Sequence, residues 1–229
     1  AIRSLGLQFE YVTDRMLQRG EFDPDEYAVL ILAQCEALGP QEAQVIRDFA
    51  SAGGTVIADV RPGIYDGHCK LRSRGGILDD LFGVEHTGNV PAKAVEGGTI
   101  EGRLGDEQIT VDLATAWETY PDYYKWLHGD LDRFNKSRRK SFKSFEEGVP
   151  RLHVNPAVRV TSGTPLGTAG DTPICIVNDV GRGRAILLNF PISAYPEITI
   201  PQTPEACADF LKAMFASAGV TWPLQVTDS

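Results

Sequence analysis

An α/β fold built on a parallel sheet is predicted by three features of this chain. They are the apolar run Tyr27-Ala28-Val29-Leu30-Ile31-Leu32-Ala33, the second run Thr55-Val56-Ile57-Ala58-Asp59-Val60, and between them the stripe Val45, Ile46, Phe49, Ala50 at helical spacing. Uninterrupted apolar strands suit positions covered on both faces by helices, as in the middle of a parallel sheet. Strand, helix and strand over residues 27–60 make one crossover unit, right-handed by the general rule. The composition agrees: 229 residues, 42% hydrophobic and 23% charged, enough to bury a core without disulfides or metals. A formal charge of −9 argues against a surface given over to nucleic acid or anionic membrane. No apolar run approaches the roughly 20 residues of a membrane span, and no signal-like segment opens the chain. Four scattered cysteines, Cys35, Cys69, Cys175 and Cys207, form no C-x-x-C pair, which favours reduced thiols and a cytoplasmic setting. No metal or cofactor is implied.

Element by element, Ile2 and Leu5 before Gly6 resemble a last helical turn and its cap. Gln8 to Thr13 alternates like a strand, and Asp14 opens a short helix containing Met16 and Leu17. An α/β domain normally starts on a strand, so the chain is expected to be one domain, 1–229, entered after its first strand. Gly39-Pro40 starts the helix of the crossover unit and Gly53-Gly54 stops it. Asp79 and Asp80 stand early in a helix through Leu81-Phe82, where the dipole favours negative charge.

Residues 89–154 are expected to be an insertion. Its first part is a β-hairpin, with strand-like pieces at Thr99-Ile100-Glu101-Gly102 and Gln108-Ile109-Thr110-Val111. From Trp117 to Phe134, Tyr120, Tyr123, Tyr124, Leu127 and Leu131 recur at helical spacing, with Trp126 beside them. Arg133, Lys136, Arg138, Arg139, Lys140 and Lys143 follow with no acid among them, leaving −15 elsewhere. Aromatics beside such a run fit a packed helix and solvated loop, a contact with another copy through Tyr123, Tyr124, Trp126, Arg138, Arg139 and Lys140, or, less favoured, nucleic acid. Ile174 to Val177 and Ala185 to Asn189 read as antiparallel strands joined around Gly181 and Gly183, which lack the third glycine and helix of a phosphate loop. A closing helix carries Ala206, Cys207, Phe210, Leu211, Met214 and Phe215 up to Gly219, and a Pro-containing loop from Phe190 to Glu197 precedes it.

In open parallel sheets, ligands gather beyond the carboxyl ends of the strands. That rule selects Gln34-Cys35-Glu36 and the stretch Arg61 to Lys70, with Arg61, Tyr65, Asp66 and His68 as crevice residues. Asp66, His68 and Cys69 contain the groups of a thiol nucleophile, its base and an orienting acid, against the alternative of a polar loop, because adjacency in sequence does not create triad geometry. Cys35 is a second thiol candidate, although the neighbouring Glu36 disfavours a thiolate. No spacing selects a glycosidase carboxylate pair.

Residues Gly39 to Ala43 and Phe49 to Asp66, the later Leu78-Asp79-Asp80-Leu81-Phe82-Gly83-Val84, and Pro173 to Ala185 with its Gly181-x-Gly183 turn together resemble the middle, trimerisation domain of family 42 glycoside hydrolases, the bacterial β-galactosidases. The resemblance covers residues 1–88 and 155–225 in pieces. It implies a class I glutamine amidotransferase-like fold, a three-layer α/β/α sandwich with a mainly parallel sheet. It also implies packing against a catalytic barrel that this chain lacks, and self-association, with a trimer in the family. True amidotransferases place a nucleophilic cysteine on a small-residue elbow directly after the strand matching Val56 to Asp59, whereas here that position falls on Val60 or Arg61. The expectation is a non-catalytic module of a sugar-cleaving protein. The alternatives are a stand-alone hydrolase using Cys69 or Cys35 with His68, and a small-ligand or carbohydrate-binding domain.

Overall fold

Helix α1 (Asp14–Arg19) shows how the local signals act: Thr13 accepts the Met16 N–H at its start, and Gly20 takes a left-handed conformation at its end. The structure is a computed structural model describing residues 5–88, 90–95, 97–113, 152–191 and 205–222. The aromatic stretch 117–134, the basic run 133–145 and the loop beyond Pro191 lie outside the described residues. Leu5 is buried and Gly6 is left-handed, as the capping pattern requires. The strand expected over Gln8–Thr13 is absent: this segment carries no ladder, and its alternate aromatics Phe9 and Tyr11 are 36% and 83% exposed. Alternation makes a strand only where one face finds something to cover it.

Strand β1 (Val29–Leu32), helix α2 (Pro40–Ala52) and strand β2 (Thr55–Asp59) form the predicted unit, with β1 and β2 parallel. Pro40 occupies the first turn of α2, and Gly53 and Gly54 donate to the Ala50 and Phe49 carbonyls at its end. Then follow α3 (Asp79–Phe82), β3 (Val84–His86), β4 (Lys93–Val95), β5 (Thr99–Leu104) and β6 (Glu107–Asp112). The chain continues with β7 (Leu152–Val154), β8 (Val158–Val160), β9 (Thr164–Ala169), β10 (Thr172–Val180), β11 (Gly183–Leu188) and α4 (Glu205–Ser217). Among the described residues the main sheet runs β1-β2-β11-β10-β9-β5-β6, with β3–β8 and β4–β7 as separate antiparallel pairs.

The sheet is mixed, which corrects the expectation of a mainly parallel one. β2 pairs parallel with β1 and β11, whereas β11–β10, β10–β9, β9–β5 and β5–β6 are all antiparallel. Parallel neighbours need a long crossover, and β9, β10 and β11 are joined by turns too tight for one. The predicted hairpin of residues 99–112 exists as β5–β6 and joins the main sheet, Ile100 pairing opposite Gly167.

Both faces of the sheet are buried in its parallel part. Leu30, Leu32, Val56, Ala58, Ala185 and Leu187 face α2 through Ile46, Phe49 and Ala50, while Ile57, Ile186 and Leu188 join the opposite core with Phe210, Leu211 and Met214 of α4. Cys175 lies fully inside this second core, and burial pushes its thiol up to about 12. The Gly181-x-Gly183 turn seats on the end of α2, Arg182 donating to the Ser51 carbonyl (3.1 Å) and Arg184 to Gly54 (3.2 Å). Gly181 supplies a φ of 59°, and at Gly183 the Gly54 and Ala50 carbonyls leave no room for a Cβ. No helix among the described residues is long and apolar enough to cross a membrane.

Candidate functional site

The carboxyl ends of β1 and β2 carry two residues that L-amino acids rarely place at positive φ, Gln34 (50°) and Val60 (48°). Both turns are held by buried polar groups. Asp59, 1% exposed at the end of β2, accepts the Gln34 backbone N–H. Val60 donates its N–H to Leu188 at the end of β11 (2.8 Å), and its carbonyl faces His86 Nε2 at 3.3 Å. His86 is 2% exposed, with Nδ1 2.6 Å from Asp79 Oδ1 while its own backbone N–H donates to Asp79 Oδ2 (2.8 Å).

The predicted crevice residues lie over these turns. Arg61 donates from Nε (3.0 Å) and Nη2 (2.6 Å) to Glu36 Oε1, tying the segment after β2 to the segment after β1. Tyr65 is fixed through its backbone, donating to Glu36 (2.8 Å) and accepting from Leu38 (3.2 Å). Arg72 reaches the Gly63 and Leu38 carbonyls at 3.1 and 2.7 Å, closing the loop from behind. Asp66 Oδ1 accepts the backbone N–H groups of Lys70 and His68, each at 2.9 Å, and these bonds hold its carboxyl below the ordinary range.

The structure therefore brings Arg61 and the Tyr65 backbone to Glu36, while Asp66 bonds within its own loop. His68 and Cys69 are exposed on the outer turn, Cys69 at a φ of 58° with its N–H on the Asp66 carbonyl (2.9 Å). The Asp66 carboxylate is directed at backbone N–H groups, so the orienting step of a triad is not assembled among the described residues. Cys35 is half-buried, and its thiol is pushed up by burial first and then by Asp59 and Glu42, which disfavours the thiolate. Glu42, buried at the start of α2, accepts from Gln18 Nε2. Asp80 would rise through burial, but the Arg47 guanidinium at 2.7 Å holds it below the usual carboxylate range. No three His, Cys, Asp or Glu side chains among the described residues gather as metal ligands. The interface candidates Tyr123, Tyr124, Trp126, Arg138, Arg139 and Lys140 lie outside the described residues.

Sequence reasoning missed His86 and a pair of buried asparagines. Asn189, fully buried after β11, donates to the Asn155 (2.8 Å) and Pro173 (2.9 Å) carbonyls and accepts the Asn155 N–H (3.2 Å). Asn155 in turn accepts the Ala157 N–H (3.0 Å), while its own Nδ2, also buried, has no partner. The available signal for His86 was strand alternation: Val84 and His86 point inward and Glu85 outward.

These elements define a mixed α/β domain whose polar knot stands at the carboxyl ends of its parallel strands. No family model matches the sequence, and no curated protein matches it. Solved structures do resemble the fold. The β-galactosidase of the haloarchaeon Halorubrum lacusprofundi aligns with a TM-score of 0.53 at 17% identity over 96% of this chain and 25% of its own. The β-galactosidase of Bacillus circulans sp. alkalophilus gives 0.53 at 14% identity over 91% and 25%. Gan42B, a GH42 β-galactosidase from G. stearothermophilus, gives 0.53 at 15% identity over 90% and 23%. The likeness is one of fold, and the chain spans about a quarter of the length of these structures.

Proposed function

We propose that this chain is a non-catalytic, amidotransferase-like module of a larger β-galactosidase-like glycoside hydrolase, packing against a catalytic domain and supporting self-association, with a trimer as the assembly. The observation that carries the reading is Val60. It holds the positive φ of a nucleophile elbow directly after β2, yet presents a branched apolar side chain where a thiol would stand. The surrounding carboxylates support it, because each is engaged in holding the fold: Glu36 by Arg61, Glu42 by Gln18, Asp59 by Gln34, Asp66 by its own loop, Asp79 by His86 and Asp80 by Arg47. A glycosidase needs two carboxyl groups facing one sugar. Coverage of nearly the whole chain against about a quarter of the β-galactosidase chains fits a module beside further domains. Free thiols at Cys35, Cys69 and Cys175 fit the reducing cytoplasm.

One observation favours a second reading, a cysteine-dependent hydrolase: the exposed Cys69 sits at positive φ beside His68. Iodoacetamide labelling at neutral pH separates the two. The module reading expects Cys69 to react like an ordinary exposed thiol, and labelling far above that rate favours the hydrolase. Sedimentation equilibrium tests assembly directly: a mass that rises to a multiple of the monomer supports it, and a monomer at every concentration ends that part of the reading.

A further inference from the structure

At the far edge of the main sheet, β6 pairs on one side with β5, and among the described residues nothing pairs on the other. Natural edge strands are usually blunted by a lysine, a proline, a bulge or extreme shortness. β6 is six residues long, Glu-Gln-Ile-Thr-Val-Asp, and has neither lysine nor proline; its ladder with β5 is regular from Thr99↔Asp112 to Leu104↔Glu107. Beside this edge lies a groove of about 470 Å³, between β6 and α4, with Phe210, Ala213, Ala216 and Trp222 forming its apolar wall. An unpaired backbone edge next to an apolar trough is the arrangement that captures an extended peptide by strand addition.

The rim charges say what kind of peptide. Glu107 and Asp209 line the groove, and Asp106 stands at the adjoining turn; against these three acids the lining offers, among the described residues, one basic side chain, Lys212, which bonds Asp209 at 3.1 Å. The turn arginine, Arg103, donates from Nη2 to the Asp106 carbonyl at 3.3 Å. A second copy adding antiparallel along this edge in full register would set position 107 of each strand against position 112 of the other, both acidic in sequence, which is unfavourable. We propose that the β6 edge and its groove dock an extended segment of a partner protein, apolar at alternate positions and carrying Lys or Arg at its ends, added as a further strand of the main sheet. The inference stands apart from the module reading, since it concerns the opposite end of the sheet from β1 and β2.

The test uses the whole chain and two synthetic peptides, Lys-Thr-Val-Thr-Val-Thr-Val-Thr-Lys and the same sequence with glutamate at both ends, with titration calorimetry and amide hydrogen exchange as readouts. Binding of the lysine peptide is expected to be tighter by about tenfold, the effect of two rim charge pairs. It is also expected to slow exchange of the amides in β6. The double variant Glu107→Lys, Asp209→Lys should reverse the preference, and because both positions are at the surface it should keep the wild-type melting temperature. Equal binding of the two peptides, no binding of either, or binding that leaves β6 exchange unchanged overturns the proposal. So do β6 amides already protected in the free monomer, which would mean that the chain's own residues cover the edge, and protection that appears only on dimerisation, which would assign the edge to a second copy. None of these outcomes bears on Cys69 labelling or on the carboxyl-end knot, so failure here and failure of the module reading are distinguishable.

Discussion

The parallel end of the sheet and its antiparallel end solve the same burial problem in opposite ways. At β1, β2 and β11 both faces are covered, and the loops beyond the strands are closed by side chains that bond backbone: Asp59 to Gln34, Arg72 to Leu38, His86 to Val60. At β5 and β6 the inward residues Ile100, Leu104, Ile109 and Val111 meet α4, whereas Glu101, Arg103, Gln108 and Thr110 face solvent. One end uses its polar groups to finish itself; at the other, among the described residues, β6 is paired on one side. An electrostatically rich crevice is thus a place of structural closure here, and the plainer strand is the one for which we propose a partner.

Mutations sharpen that contrast. The largest effect is expected at Phe49, 2% exposed between α2 and β2, where Phe49→Ala should cost about 3–5 kcal/mol in a denaturant titration. Thr110→Ala on the exposed side of β6 should stay within about 0.5 kcal/mol, and a comparable loss there would break the comparison. Next comes Asp79→Asn, which removes a charged acceptor from the buried His86 and should cost about 1–3 kcal/mol by the same measurement. Relief of backbone strain is smaller and opposite in sign. Val60→Gly should stabilise by up to about 1 kcal/mol, because left-handed geometry costs a branched residue roughly that much more than glycine; a clear destabilisation would falsify the strain.

The smallest effect concerns pH. Asp80 has its folded pKa depressed by Arg47, so its stabilising contribution is present above the unfolded carboxylate range and is lost as pH falls through the folded value. The pair is substantially exposed, which limits it to about 0–1 kcal/mol. Melting temperatures of wild type and Asp80→Asn should therefore differ slightly at pH 7 and converge towards pH 3. A gap that widens on acidification would contradict the linkage.

What could be read from the sequence follows the same division. β1, α2 and β2 were legible because each satisfies its own rule locally: continuous apolar runs, a stripe at helical spacing, and proline and glycines at the helix ends. Strand β9 was not, because Thr-Pro-Leu-Gly-Thr-Ala argues against a strand by propensity, and Gly167 is instead required by the close approach of Thr99 and Ile100 on β5. The expectation of a mainly parallel sheet rests on β1, α2 and β2 and on the family resemblance; with β9 unseen, the hairpin at 99–112 has nothing to join. In the crevice, the loop location was legible from strand order alone. The bonds were not, since Glu36 and Arg61 meet only when β1 and β2 align, and Asp79 reaches His86 only across the turn between α3 and β3. Val60 carries no sequence signal for a positive φ, and branched side chains ordinarily exclude it.

Cys175 gives the molecule a clock. Its sulfur lies in the core shared by the sheet and α4, so a small alkylating reagent reaches it only when that core comes apart. When closing is faster than alkylation, the rate at Cys175 equals the rate for an open thiol multiplied by the fraction of time the core is open. Cys69, exposed on the same chain, supplies the rate for an unshielded thiol. The ratio of the two labelling rates would report how often the native protein opens, with no denaturant added and no substitution made in the chain.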